Sequence, residues 1–172
     1  MTTSVTITTR DDQTFCVPAE PLWVSGLLSS MMNFDDDDDD DDDDGLIPLP
    51  NVDGSIFQLV LDFCEHHLQD PQPTIHTPIP KGATPESVLG QGWYSDFITN
   101  LTFERTLELQ AAASYLEVDV LSELMALAVA LHFTQTDWSQ ITSHFDHCPA
   151  FGDMTEEEQT KIRQDMQWVS QP

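Results

Sequence analysis

The sequence predicts an α+β fold in which helices dominate. Three stretches carry that expectation. The first residues alternate in the two-residue period of a half-buried strand. Residues 56–67 hold apolar side chains at the spacing of one helix face. The stretch from Thr106 to Phe133 reads as two consecutive helices, the second of them apolar on every side.

Taken in order, Val5, Ile7 and Thr9 alternate, and Phe15 and Val17 alternate after a polar Arg10-Asp11-Asp12-Gln13 turn. That pattern predicts a β-hairpin with one buried face, ended by Pro18 and Pro21. Leu22, Leu27, Leu28 and Met31 suggest a short helix. Asp35 to Asp44 follow, ten adjacent carboxylates whose mutual repulsion predicts a solvated loop. A calcium-binding loop would need a mid-loop glycine and a terminal glutamate, and here the run has neither. Ile47 and Leu49 alternate with prolines, which suits a short edge strand. Ile56, Leu59, Val60, Phe63, Cys64 and His67 then mark the cleanest amphipathic helix, with Asp53 or Ser55 as its N-cap.

From Asp70 to Gly92 five prolines break the pattern, and the stretch reads as a long surface loop. Trp93 and Phe97 restore an apolar anchor. In the central stretch, Leu109, Ala112 and Leu116 mark one helix. Leu121, Leu124, Met125 and Ala128 mark the next, and every residue from Leu124 to Leu131 is apolar. A membrane span needs about 20 apolar residues, so this bracketed run must instead be covered by protein on more than one side. Beyond it, Trp138, Ile141 and Phe145 lie at helical spacing. Thr155-Glu156-Glu157-Glu158 has the form of a capping box opening a last helix, with Ile162, Met166 and Trp168 or Val169 on its apolar side.

A chain of 172 residues suits one domain with an appendage. Its net charge is −26, with only Arg10, Lys81, Arg105, Lys161 and Arg163 basic. Phosphate neutralisation by Lys and Arg drives nucleic-acid binding, so direct binding to DNA or RNA is excluded, and an anionic membrane surface is excluded on the same ground. Cys16, Cys64 and Cys148 are odd in number and far apart, which fits a reducing compartment. No basic start followed by an apolar segment marks a signal peptide. A cytoplasmic and nuclear location is expected.

Chemistry-bearing motifs are scarce. Nucleophile elbows, glycine-rich phosphate loops and H-E-x-x-H are absent from the sequence. Two clusters hold metal-ligand types, Cys64 with His66 and His67, and His144, His147 and Cys148 in H-x-x-H-C. Neither has the paired spacing of a structural zinc site, so no metal, no cofactor and no catalytic residue is expected.

Several stretches in register resemble one family. Leu46-Ile-Pro-Leu-Pro-Asn-Val52 is similar to its IPLPNV strand, and Phe63-Cys-Glu-His-His67 to its W-C-x-H-H helix end. Trp93 and Phe97 after the proline-rich loop resemble its W-x-x-x-F. Ala112-Ala-Ser-Tyr-Leu-Glu-Val118 resembles AANYLDI, and Thr155-Glu-Glu-Glu158 with Gln167-Trp168 resembles the FTEEEE and NQWC ending. This is the S-phase kinase-associated adaptor family, and the likeness runs from about Val5 to Trp168. Elongin C shares the BTB/POZ part but ends near Phe133, so the longer tail favours the F-box adaptor.

The resemblance implies a BTB/POZ fold at residues 1–133, including the acidic loop 35–44 and the proline-rich loop 70–92, followed by F-box-binding helices at 134–172. It implies a non-catalytic adaptor that links F-box substrate receptors to a cullin in an SCF-type ubiquitin ligase. Cullin contacts fall on Ser114 and Tyr115. F-box contacts fall on Val129, Phe133, Phe145 and Trp168, with Ile141 beside them. Ser114 stands where the family has Asn, Gln110 stands where it has an apolar residue, and its basic segment after the central helices has no cation here. A BTB/POZ scaffold that carries F-box proteins outside a ligase is the first alternative. An enzyme built on His144, His147 and Cys148, using a metal or a thiol, is the second.

Overall fold

The computed structural model describes residues 4–34, 46–80, 82–136 and 155–165. The hairpin forms as the alternation requires. Strand β1 (Ser4–Thr9) pairs antiparallel with β2 (Thr14–Pro18), Val5 opposite Val17 and Ile7 opposite Phe15. The edge strand β3 (Leu46–Leu49) lies on the other side of β1 and runs parallel to it, giving the order β2-β1-β3. Pro48 lacks an N–H, and an edge position is where that loss costs least. The register places Ile7 beside Ile47 and Thr9 beside Leu49. Val17, Ile7, Thr9, Ile47 and Leu49 are all buried, while Cys16, Leu46 and Pro48 on the opposite face are exposed.

The apolar residues expected to form one helix after the hairpin form two, α1 (Ala19–Leu22) and α2 (Gly26–Phe34). The break falls at Trp23 to Ser25, where the chain turns to meet a later helix. Helix α3 (Gly54–Gln69) follows, and its buried arc is broader than the sequence stripe. Phe57 and Leu61 are buried along with Ile56, Val60, Phe63 and Cys64. Phe57 meets Phe15 of the sheet edge to face at 5.2 Å.

Asp53 does stand at the N-cap of α3, but its side chain caps nothing. It forms a bidentate pair with Arg10, at 2.8 and 2.6 Å. The capping oxygen comes from the hairpin turn, where Asp11 Oδ1 accepts from Gly54 N at 2.9 Å. A turn reversed through the left-handed Asp12 (φ 58°) therefore fixes the start of α3.

The proline-rich stretch is less irregular than expected. It contains α4 (Pro85–Leu89), opened by a capping box between Thr84 and Ser87. Pro85 breaks nothing there, because the first helical position needs no N–H and favours the fixed φ of proline. Ala83 is buried, and Ile75 and Ile79 pack against the core. Then come α5 (Trp93–Thr99), α6 (Phe103–Tyr115) and α7 (Asp119–Gln135). Thr102 caps α6 by accepting from Arg105 N at 3.3 Å.

The chain divides into two compact units, residues 1–135 and 136–172. In the second, the described element is α8 (Glu156–Asp165). Its capping box is formed: Thr155 N donates to Glu158 Oε2 at 2.9 Å and Glu158 N to Thr155 Oγ1 at 3.4 Å. The acidic run 35–44 and the expected helix through Trp138, Ile141 and Phe145 lie outside the described residues.

Candidate protein-interaction surface

Helix α7 carries two apolar faces. Leu121, Leu124, Met125, Leu127 and Leu131 are buried in the core. Ala126, Val129, Ala130 and Phe133 recur at i, i+3, i+4 and i+7 on the remaining side. Ala126 is exposed, and Val129, Ala130 and Phe133 are half-buried. The first unit's core thus claims one side of the helix and leaves an apolar stripe on the other. Phe133 is held from behind: its ring meets Phe103 edge to face at 5.6 Å, and His132 stacks on Phe103 at 4.2 Å. Phe103 and His132 extend the buried stripes of α6 and α7 by one turn each, at three residues before Thr106 and four after Ala128.

The corner between α6 and α7 positions the second candidate patch. Val118 N donates to Ala113 O at 2.9 Å and Glu117 N to Ser114 O at 3.4 Å. With Glu117 left-handed (φ 55°), this is a Schellman ending that has glutamate where glycine is usual. Its apolar contact is present, since Val118 and Ala113 are both fully buried. The carbonyls freed at this corner meet the start of α2. Leu116 O accepts from Leu27 N at 3.3 Å, and Glu117 O accepts from Gly26 N at 3.1 Å. Ser25 Oγ donates to Leu116 O and accepts from Leu28 N. Unsatisfied groups of two helix ends so satisfy one another. A side chain at Gly26 would bring its Cβ within 3.1 Å of Glu117 Cβ, so the approach needs glycine.

On this anchored corner Ser114 is exposed and Tyr115 is half-buried against the core. Leu107, Gln110, Ala111 and Ser114 share the outer face of α6 by spacing, and Leu107 is 45% exposed. Gln110 Nε2 donates to Ser122 Oγ of α7 at 2.7 Å and to Ser114 Oγ at 3.3 Å. Its Oε1 is buried without a partner. The patch is therefore a polar link between two helices with one apolar side chain, Leu107, standing beside it. Its signals in the sequence were the family likeness at Ser114 and Tyr115 and a leucine, Leu107, off the buried stripe.

The Cys64 cluster proves to be core and aromatic packing. Burial, with the neighbouring Glu65 carboxylate adding to it, pushes the Cys64 thiol up to about 12, so it stays protonated at neutral pH. His67 stacks on Phe63 at 5.6 Å, and its Nδ1 accepts from Gln72 N at 3.2 Å. Burial and then the charge of His66 lower its proton affinity, so it serves as a neutral acceptor. Tyr94 donates to Asp70 O, its phenol raised to about 12 by burial and then by the Asp70 carboxylate. Among the described residues no group of three or more His, Cys, Asp or Glu is arranged to hold a metal ion. No helix among them is long and apolar enough to cross a membrane. Ile141, Phe145 and Trp168, and the His144, His147, Cys148 cluster, lie outside the described residues.

The sequence is similar to those of known proteins. Residues 3–69, from the hairpin to the end of α3, match the family described as Skp1 family, tetramerisation domain. The S-phase kinase-associated protein 1 homolog of Tetrahymena thermophila is 30% identical over 125 residues, covering 73% of this chain and 72% of that protein. The chain belongs to the Skp1 family. The E3 ubiquitin ligase complex SCF subunit sconC of Talaromyces marneffei is 28% identical over 72% of each chain. The Skp1 family likeness extends further with SKP1-like protein 16 of Arabidopsis thaliana, 27% identical over 171 residues, 96% of this chain and 94% of that one. Identities near 30% mark this chain as a divergent member, and its three-stranded mixed sheet packed with helices is the α+β fold expected of it.

Proposed function

We propose that this chain is a non-catalytic adaptor of an SCF-type ubiquitin ligase that joins F-box proteins to a cullin. The observation that carries the reading is the second apolar face of α7, which the core of its own unit does not use, in a chain of the Skp1 family. A helix from a partner laid against such a stripe is helix-in-groove recognition, with aromatic residues as anchors. In this reading residues 1–133 are the BTB/POZ platform and 134–172 complete the F-box site. Val129 and Phe133, with Ile141, Phe145 and Trp168, contact the F-box. Ser114 and Tyr115 contact the cullin N-terminal region, in the cytoplasm and nucleus.

A second reading has its own observation. Gln110 ties Ser114 to Ser122 by hydrogen bonds at the place proposed for the cullin. A partner shaped for an apolar residue there would have to desolvate a polar link, at a cost of about 1–3 kcal/mol. That favours a scaffold that holds F-box proteins outside a ligase. Titration calorimetry of the full chain with an F-box peptide and, separately, with a cullin N-terminal fragment decides. Binding of both supports the adaptor. Binding of the F-box peptide alone supports the scaffold, and binding of neither overturns both. Phe133→Ala and Trp168→Ala should each weaken the F-box peptide by about 2 kcal/mol, as hot-spot aromatics do; unchanged affinity would place that residue outside the interface.

A further inference from the structure

A cleft of about 630 Å³ opens between α3 and α5. Its size is that of a ligand site rather than a packing gap. Leu59, Trp93 and Phe97 give it an apolar floor, and Asp62, Glu65 and Asp96 line it with carboxylates. These three carboxylates are exposed, while Trp93 and Phe97 are half-buried. Among the described residues no lysine or arginine lines it. Gln58 Nε2 donates to Asp62 Oδ1 at 2.8 Å, which leaves further acceptor positions of that carboxylate open. His66 also lines the cleft, stacked on Trp93 at 4.2 Å, and Trp93 stacks on Phe97 at 4.6 Å. His66 Nε2 is enclosed with no hydrogen-bond partner; Asp70 Oδ2, at 3.8 Å, lies beyond bonding distance.

We propose that this cleft binds an arginine side chain presented by a partner protein. The surface asks for an amphipathic cation. Three like charges repel one another across an apolar floor, and a guest must neutralise them without wetting that floor. Arginine does both: its methylene stem lies along apolar surface, and its weakly hydrated guanidinium stacks on aromatic rings. Its five N–H donors reach several acceptors at once, which suits three carboxylates in one cleft. A neutral or acidic segment would meet the carboxylates without compensation. The inference does not rest on the F-box or cullin reading, because it uses a different part of the first unit.

Calorimetry of the full chain with the peptide acetyl-Gly-Leu-Arg-Leu-Arg-Gly-amide, at about 0.15 M salt, tests it. The competing site is the Asp35 to Asp44 run, which attracts any cation. Three comparisons separate the two. The peptide with Gln in place of Arg should bind at least tenfold more weakly. Asp62→Asn/Glu65→Gln/Asp96→Asn should weaken the arginine peptide at least tenfold. Deleting Asp35 to Asp44 should change it less than threefold. The triple substitution replaces exposed carboxylates by isosteres, and an unchanged thermal midpoint would show that it still folds. Full affinity in the triple variant, loss of binding on deletion of the run, or no binding at millimolar peptide would each overturn the proposal.

Discussion

Ser25 is a single hydroxyl on which two helices depend. It is 1% exposed, and its oxygen both caps Leu28 N and donates to Leu116 O. Ser25→Ala removes the cap and leaves a buried donor and acceptor short of a partner. The expected loss is about 2 kcal/mol, or a fall of about 4–8 °C in the melting midpoint; a shift under one degree would show that water replaces the hydroxyl. Glu117 works in the opposite sense. A residue with a Cβ in the left-handed region is strained by about 1–2 kcal/mol, and glycine at the end of a Schellman motif is not. Glu117→Gly should therefore stabilise the chain by about 1 kcal/mol, with the greater freedom of glycine in the unfolded chain already deducted. Chemical denaturation reads this directly, and a destabilised variant would mean that the glutamate side chain holds the corner. Neither residue announces itself in the sequence, because Ser25 and Glu117 act on partners about 90 positions away.

Elements with a strong local period were legible. The hairpin, its buried face, the edge strand with Pro48 and the helices α3, α6 and α7 follow from alternation or helical spacing, and the Thr155 capping box from four adjacent residues. The errors arose where a local signal had two meanings. Pro85 reads as a breaker until Thr84 is seen to make it a helix start. Leu22 to Met31 reads as one helix until the corner at Leu116 claims the backbone between. Asp53 reads as a cap until Arg10, 43 residues earlier, takes its carboxylate. Of the proposed sites, Val129 and Phe133 were legible from the family likeness, but that they lie on a face separate from the core stripe required the burial of both sides of α7. For α8 the local signal also sets a pH response. The Glu158 carboxyl is held below its ordinary value of 4.5, first by the Thr155 hydroxyl and then by the Thr155 amide. A depressed acid pKa stabilises above the unfolded value and ceases to do so as pH falls through the folded one. The Thr155 amide resonance should thus titrate with a midpoint below 4.5, and helix α8 should fray over the same range. A midpoint at or above the ordinary value would show that the box is open in solution.

At the scale of the molecule, charge opposes the fold that the core supports. Residues 1–135 hold 24 carboxylates and three cations. Two of those cations are already engaged, Arg10 with Asp53 at 2.6 Å and Arg105 with Ser55 at 2.9 Å and Glu108 at 3.6 Å. Exposed pairs of this kind are worth about 0–1 kcal/mol each and cannot offset the excess. The remaining negative charges repel one another more strongly in the compact state than in the expanded chain. Added salt shortens the reach of that repulsion from about 30 Å at 0.01 M to about 8 Å at 0.15 M. The melting midpoint should therefore rise between those two salt concentrations. Ten of the 24 carboxylates sit in the Asp35 to Asp44 run, between α2 and β3, both of which are complete without it. Deleting the run should leave the fold intact, keep the midpoint at 0.15 M no lower than that of the full chain, and flatten the salt dependence. A large fall in the midpoint would mean that the run holds the two elements together through a bound cation or a partner. An undiminished salt response would place the repulsion among the carboxylates of the folded body instead.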